Sequence, residues 1–159
     1  MLSALERRER IAKLRNLPKQ LQEAVKGLDD AQLQTPYREG GWTPAQVVHH
    51  LVDSHLNAYV RMRLILTEDK PTLKTYDEKA WAELADAKSP VLAPSIAILR
   101  GLHRRWSNLL RSVGRKDWQR AGHHPERGEM TLEDILVTYS DHGEKHVGQI
   151  LGLRQRNGW

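Results

Sequence analysis

At 159 residues, with 39% hydrophobic and 28% charged side chains, the chain reads as one globular domain over 1–159 rather than two cores or a disordered segment. It has no cysteine, which excludes disulfides, thiolate metal sites, iron–sulfur clusters and a catalytic thiol of its own, so any metal must be held by nitrogen or oxygen. The net charge of +5, from 25 Lys and Arg against 20 Asp and Glu, permits an acidic ligand without naming one. No apolar run approaches the roughly 20 residues that span a bilayer, so no membrane partner is expected. Met1 to Arg15 is charged and lacks the apolar stretch of a signal peptide, and the expected location is cytoplasmic.

Helical periods dominate and alternating strands are scarce, which predicts an all-α fold. Leu5, Ile11, Leu14, Leu17, Leu21, Val25 and Leu28 predict a first amphipathic helix, which Pro18 must start, kink or interrupt. Turn chemistry follows from Pro36 to Gly41. Thr43 as N-cap, Pro44 at the first helical position and Gln46 then form a capping box, opening a second helix that runs to about Glu68. Pro71 to Pro94 is a long connection with a short helix over Asp77–Ala87. It reads as a crossover between helices that are not hairpin neighbours, and as a natural lid over a pocket. A third helix follows Pro94 and Ser95, with Ile96, Leu99, Leu102 or His103, Trp106, Leu109, Leu110 and Val113 on its buried side and Gly114 at its stop. Gly122 to Gly128 reads as loop. Thr131 with Asp134 is a second capping box, opening a last helix towards Asn157. The sum is a four-helix bundle with a long crossover carrying a short helix.

Between Arg100 and Arg127 eight basic residues face two acids, Asp117 and Glu126. Aromatic residues do not interleave with these charges, so the stretch reads as a solvated helix face plus a loop, and nucleic acid is not the expected partner.

The chemistry lies in the histidines. His142 and His146 are four apart in the last helix and project within about 40° of each other, on the side of Ile135, Tyr139, Ile150 and Leu153. Two inward imidazoles one turn apart can be adjacent ligands of one metal. Glu144 lies about 200° round the helix from His142 and points away, which excludes a zincin-type glutamate base here. In the second helix Val47, Leu51, Ala58, Met62 and Ile65 form an apolar stripe, and His50, Ser54, Asn57 and Arg61 form a polar stripe beside it that suits a pocket wall. His49 projects away from the apolar stripe, towards solvent or the back of the site, and His55 borders it. Spacing leaves His50 and His55 both open as a third ligand. A three-histidine site keeps coordination positions free, as catalytic rather than structural sites do, and suits zinc, nickel, iron or cobalt.

The chain resembles the DinB/YfiT-like family of metalloenzymes, in its YfiT branch. The likeness rests on Tyr37-Arg38-Glu39-Gly40-Gly41-Trp42-Thr43, on Gln46 through His55 with Asn57, Tyr59 and Arg61, and on Leu66-Thr67-Glu68. It continues through Tyr76 to Trp81, His124-Pro125 and the His142 to His146 helix up to Gly158-Trp159. The resemblance implies a four-helix bundle with one divalent transition metal, zinc, nickel or iron, held by His50, His142 and His146. It thereby separates His50 from His55. There are two departures. The chain is expected to lack the short proline-containing extension before the first helix, and Lys145 stands where relatives often carry another histidine. His124 before Pro125 matches a family loop motif and reads most simply as an exposed loop histidine.

Relatives are described either as hydrolases or as thiol S-transferases. The reading favoured here is an S-transferase that activates a low-molecular-weight thiol of the bacillithiol type for attack on an electrophile, with no protein base and no protein cysteine needed. Arg61, Asn57 and Tyr139 are the candidate contacts to a small-molecule substrate, Arg61 meeting its carboxylate. The alternative is hydrolysis by hydroxide held on the metal. A third reading is a basic nucleic-acid-binding module with structural histidines, whose binding would depend on salt and not on chelators. Relatives imply a homodimer.

Overall fold

The computed structural model describes residues 1–159. Four long helices, α1 (Ala4–Val25), α3 (Pro44–Thr67), α5 (Ala93–Ser112) and α6 (Leu132–Asn157), are joined by two short ones, α2 (Asp30–Leu33) and α4 (Glu78–Ala82). Ser3, Thr43 and Thr131 each close a capping box, with Glu6, Gln46 and Asp134, and so fix where α1, α3 and α6 begin. Such caps typically contribute about 1 kcal/mol each. The short helix α4 is tighter than the Asp77–Ala87 expectation: Asp77 caps it and Glu83 ends it.

In the bundle α1 packs against α5 and α6, and α3 packs against the same two, so α1 faces α3 across one diagonal and α5 faces α6 across the other. The long connection after α3 therefore joins neighbours. The diagonal crossings fall instead at residues 26–43 and 113–131. α1 continues unbroken through Pro18, which is buried. Proline has no N–H to give, so the carbonyl of Leu14 loses the helical partner it would have had.

The segment read as loop at Gly122–Gly128 is part of an antiparallel hairpin, β1 (Ala121–His124) with β2 (Gly128–Thr131), in the register Ala121 opposite Thr131 and His124 opposite Gly128. Four-residue strands offer only two inward positions each, too few for a period to register. Backbone hydrogen bonds between Pro71–Leu73 and His123 tie the hairpin to the crossover segment. A side chain at Gly122 would meet the Pro71 carbonyl and Leu73 at 2.8 Å, so the close approach needs glycine there.

Two apolar clusters fill the bundle. One holds Ile11, Leu14, Met62, Ile65, Trp106, Ile135 and Leu136; the other holds Leu17, Leu21, Val47, Leu51, Leu99 and Ile150. Each fully buried Leu or Ile stabilises by roughly 1.5–3 kcal/mol. His55 of α3 and His142 and His146 of α6 fall between residues of the two clusters, and His50 and His103 lie beside them. No helix is long and apolar enough to cross a membrane.

Candidate metal centre

α3 supplies His50 and α6 supplies His142 and His146, and their ligand atoms all lie within 4.8 Å of one another. The Nε2 atom of His142 is 3.2 Å from that of His50 and 3.1 Å from that of His146. Three imidazoles bonded to one ion at about 2.0–2.1 Å would place their nitrogens roughly 3.0 Å apart in an octahedral arrangement and 3.3 Å apart in a tetrahedral one. The donor set therefore fits a divalent metal. Gln149, one turn on from His146, has its Oε1 2.8 Å from Nδ1 of that ring. That oxygen accepts, so the His146 proton sits on Nδ1 and its Nε2 lone pair faces the cluster.

Burial keeps these rings neutral, the form that binds metal. His142 is pushed down to about 2 by burial and then by His146 and His50. His50 falls to about 3, by burial and then His146. His146 falls to about 4, with Gln149 opposing the effect of burial. Trp42, just before the α3 cap, lies 4.5 Å from the His50 ring and 6.2 Å from the His146 ring, between ring centroids, and shields both.

His55 and His103 are fully buried behind the cluster. His55 Nε2 is 3.3 Å from Nδ1 of His142, His55 Nδ1 is 3.0 Å from Nε2 of His103, and Nδ1 of His103 meets the Leu14 carbonyl. Burial pushes His103 down to about 4 and His55 well below its ordinary value. His55 thus stands beside His142, while His50 completes the cluster. His49 is not at the surface: it is buried, with one ring nitrogen 2.8 Å from the Ser95 hydroxyl and the other 2.9 Å from the Ser89 carbonyl.

His142 lines two cavity lobes, together with Glu78, Lys79 and Arg127, which border both. One, of about 660 Å³, includes Ser54, Arg61, Tyr76, His124, Arg127 and Tyr139. The other, of about 780 Å³, includes Trp42, His50, Lys145, His146 and Gln149. Arg61 and Tyr139 border the first lobe. Asn57 does not: its amide donates to the Asp53 carbonyl within α3. His124 is only 6% exposed and faces the cavity from β1, not an exposed loop position. Burial and then the charges of Arg61 and Arg127 lower its pKa. Arg61 is 8% exposed; its Nε and Nη2 donate to the Lys74 carbonyl at 3.0 and 2.6 Å, and its Nη1 donates to the Tyr139 hydroxyl at 3.2 Å. Neither Arg61 nor Arg127 has a carboxylate within 4 Å, although Asp77, Glu78 and Glu126 line the same lobe. Glu144 points away, to Lys13 on α1.

Sequence reasoning gave Trp42, Gln149 and Arg127 no place at the site: Trp42 entered only as part of a family motif and Arg127 only as the end of a basic stretch, while Gln149 carried a local signal in its i+3 spacing from His146.

The model of the DinB superfamily matches residues 13–150. Proteins of Bacillus cereus strain 03BB102 and Bacillus thuringiensis subsp. konkukian strain 97-27 are each 49% identical over 94% of this chain and 86% of their own length; both bear the name "Putative metal-dependent hydrolase". Among solved structures, YfiT from Bacillus subtilis superposes with a TM-score of 0.97 at 44% identity, over 100% of this chain and 91% of that one. It is described as "a probable metal-dependent hydrolase with an unusual four-helix bundle topology". The mycothiol-dependent maleylpyruvate isomerase has the same fold over 94% of this chain and 63% of its own, with a TM-score of 0.72 at 14% identity.

Proposed function

The chain belongs to the DinB superfamily, and from that membership and its histidine geometry we propose that it is a metal-dependent hydrolase of a small molecule carrying a negative charge. One observation carries the reading: three neutral imidazole nitrogens, 3.1 and 3.2 Å apart where measured from His142, lie where two cavity lobes meet. His50, His142 and His146 are the residues that would hold the ion. A divalent metal on three neutral ligands supplies Lewis acidity, enough to ionise a water near neutral pH and to polarise a carbonyl. No carboxylate belongs to the histidine cluster, and no protein base is assigned. Trp42 covers the rings from one side and limits water there.

The charge preference follows from Arg61 and Arg127. A guanidinium has five N–H groups, and Arg61 uses three of them on Lys74 and Tyr139, leaving two free at a cavity wall. Burying the Arg61 cation without a counter-ion is costly, and a substrate carboxylate would remove that cost, while the exposed Arg127 adds its charge at the rim of the same lobe.

Hydrolysis is placed ahead of the bacillithiol-type transfer expected from sequence because relatives at 49% identity carry the hydrolase name. Thiol transfer stays as the second reading, favoured by the cysteine-free chain and the same cationic lobe. The test is turnover of carboxylated esters and amides by protein loaded with zinc, nickel or iron, with and without bacillithiol. Metal-dependent turnover without thiol, with KM raised in Arg61→Gln, is the expected result. A rate that appears only with thiol would replace the first reading by the second, and chelator-insensitive turnover would remove both.

A further inference from the structure

We infer that His55 and His103 are positioning residues which lock His142 with its Nε2 bare towards the cluster, and that Pro18 provides the anchor of this relay. The direction is set from the far end. The Leu14 carbonyl can only accept, so Nδ1 of His103 carries the proton. A doubly protonated His103 or His55 would be a fully buried cation with no acidic partner. Both rings are therefore neutral, and Nε2 of His103 must accept. Its partner, Nδ1 of His55 at 3.0 Å, then donates. That leaves Nε2 of His55 as an acceptor, so Nδ1 of His142 at 3.3 Å donates to it. The remaining nitrogen of His142, Nε2, keeps a bare lone pair facing His50 and His146.

The anchor exists because of a proline. In an unbroken helix the Leu14 carbonyl would accept from the N–H of residue 18, and Pro18 has none. Pro18 thus frees an acceptor inside the bundle at the point where His103 of α5 reaches α1. A helix-breaking residue tolerated mid-helix and two buried histidines outside the cluster have one explanation. The relay also adds to the fit of the metal. With Gln149 fixing His146 in the same way, the lone pairs of His142 and His146 meet at 3.1 Å, an arrangement a cation between them relieves.

The consequence for metal binding rests on the proposed function; the tautomers do not, and the experiment separates them. In full-length protein stripped of metal, nitrogen-15 NMR of the side chains should find His55, His103 and His142 neutral with the proton on Nδ1. An Nε2–H tautomer at His55 or His103, or a charged ring at neutral pH, would overturn the relay whether or not metal binds. Zinc affinity is then measured by chelator competition. His55→Phe is expected to lose 10- to 100-fold, as when groups supporting a ligand are removed. His55→Gln, whose amide both accepts and donates, should recover most of that loss. Leu99→Ala, an equally buried change on α5, should leave affinity within about twofold despite its loss of stability. Unchanged affinity in His55→Phe, or equal losses in the Phe and Gln variants, would overturn the positioning role. Absence of zinc binding in the wild type would defeat the proposed function and leave the tautomer result standing.

Discussion

Lowering the pH from 7 to 5 should unfold the metal-free protein, and the structure sets how steeply. His50, His142, His146 and His103 have folded-state pKa values of about 3, 2, 4 and 4, and His55 is held well below its ordinary 6.5, in every case chiefly by burial. The folded form binds these protons later than the unfolded chain. The stability they contribute is thus fully present above pH 6.5 and is lost as pH falls from there through the folded values, from about 4 for His146 and His103 to about 2 for His142. Each group adds a slope of up to about 1.4 kcal/mol per pH unit, so five together reach roughly 7 kcal/mol per unit near pH 5. Across 1.5 units below pH 6.5 that amounts to about 10 kcal/mol, comparable with the whole stability of a typical domain. Asp53, whose pKa burial raises, works in the opposite direction, while His124, lowered by burial and then by Arg61 and Arg127, acts in the same direction as the five. Urea unfolding of chelator-treated protein at half-unit pH steps, followed by helical circular dichroism, measures the slope. Uptake of about five protons on unfolding near pH 5 is expected. A free energy flat between pH 7 and 5 would show that these imidazoles are not buried and neutral in solution.

The bundle makes a paired prediction about glycines of α6. A Cβ on Gly143 would meet the buried Leu17 side chain at 2.5 Å, whereas one on Gly148 would meet nothing within 4 Å. Gly143→Ala should therefore destabilise by about 1–2 kcal/mol, overpacking exceeding the gain in helix propensity, while Gly148→Ala should stabilise by up to about 1 kcal/mol. Equal signs in thermal melts would refute the close approach of α1 to α6. Metal at 100 times its Kd adds about 2.7 kcal/mol to the folded state, so chelation should lower Tm by roughly 5–10 °C in scanning calorimetry. Thr131→Ala removes the cap of α6 and should cost about 1 kcal/mol by urea unfolding, without changing metal stoichiometry.

Helix starts were legible in the sequence because capping is local chemistry: Thr43 with Gln46 and Thr131 with Asp134 place α3 and α6 to within a residue. The bundle followed from apolar periods, and the pairing of His142 with His146 from a spacing of four. Other features depend on contacts between distant segments. The choice between His50 and His55 turns on which ring faces α6 and which faces α5, and a helical wheel of α3 cannot see either. Leu102 and His103 stood as alternatives on the buried side of α5, and the structure buries both, but a helical wheel gives no sign that His103 reaches His55. Pro18 looked like an interruption because the use of the Leu14 carbonyl by α5 is a tertiary fact. The hairpin was missed because its strands hold four residues each, and with it the inward turn of His124. His49 looked outward on the wheel because its partners, Ser89 and Ser95, come from the crossover and the start of α5.

The central claim is tested most directly by the metal content of tag-free protein, measured beside His50→Ala and His142→Ala. The three-histidine site predicts about one equivalent in the wild type and loss in both variants, with helical content retained. No metal in the wild type, or equal metal in all three proteins, would contradict it.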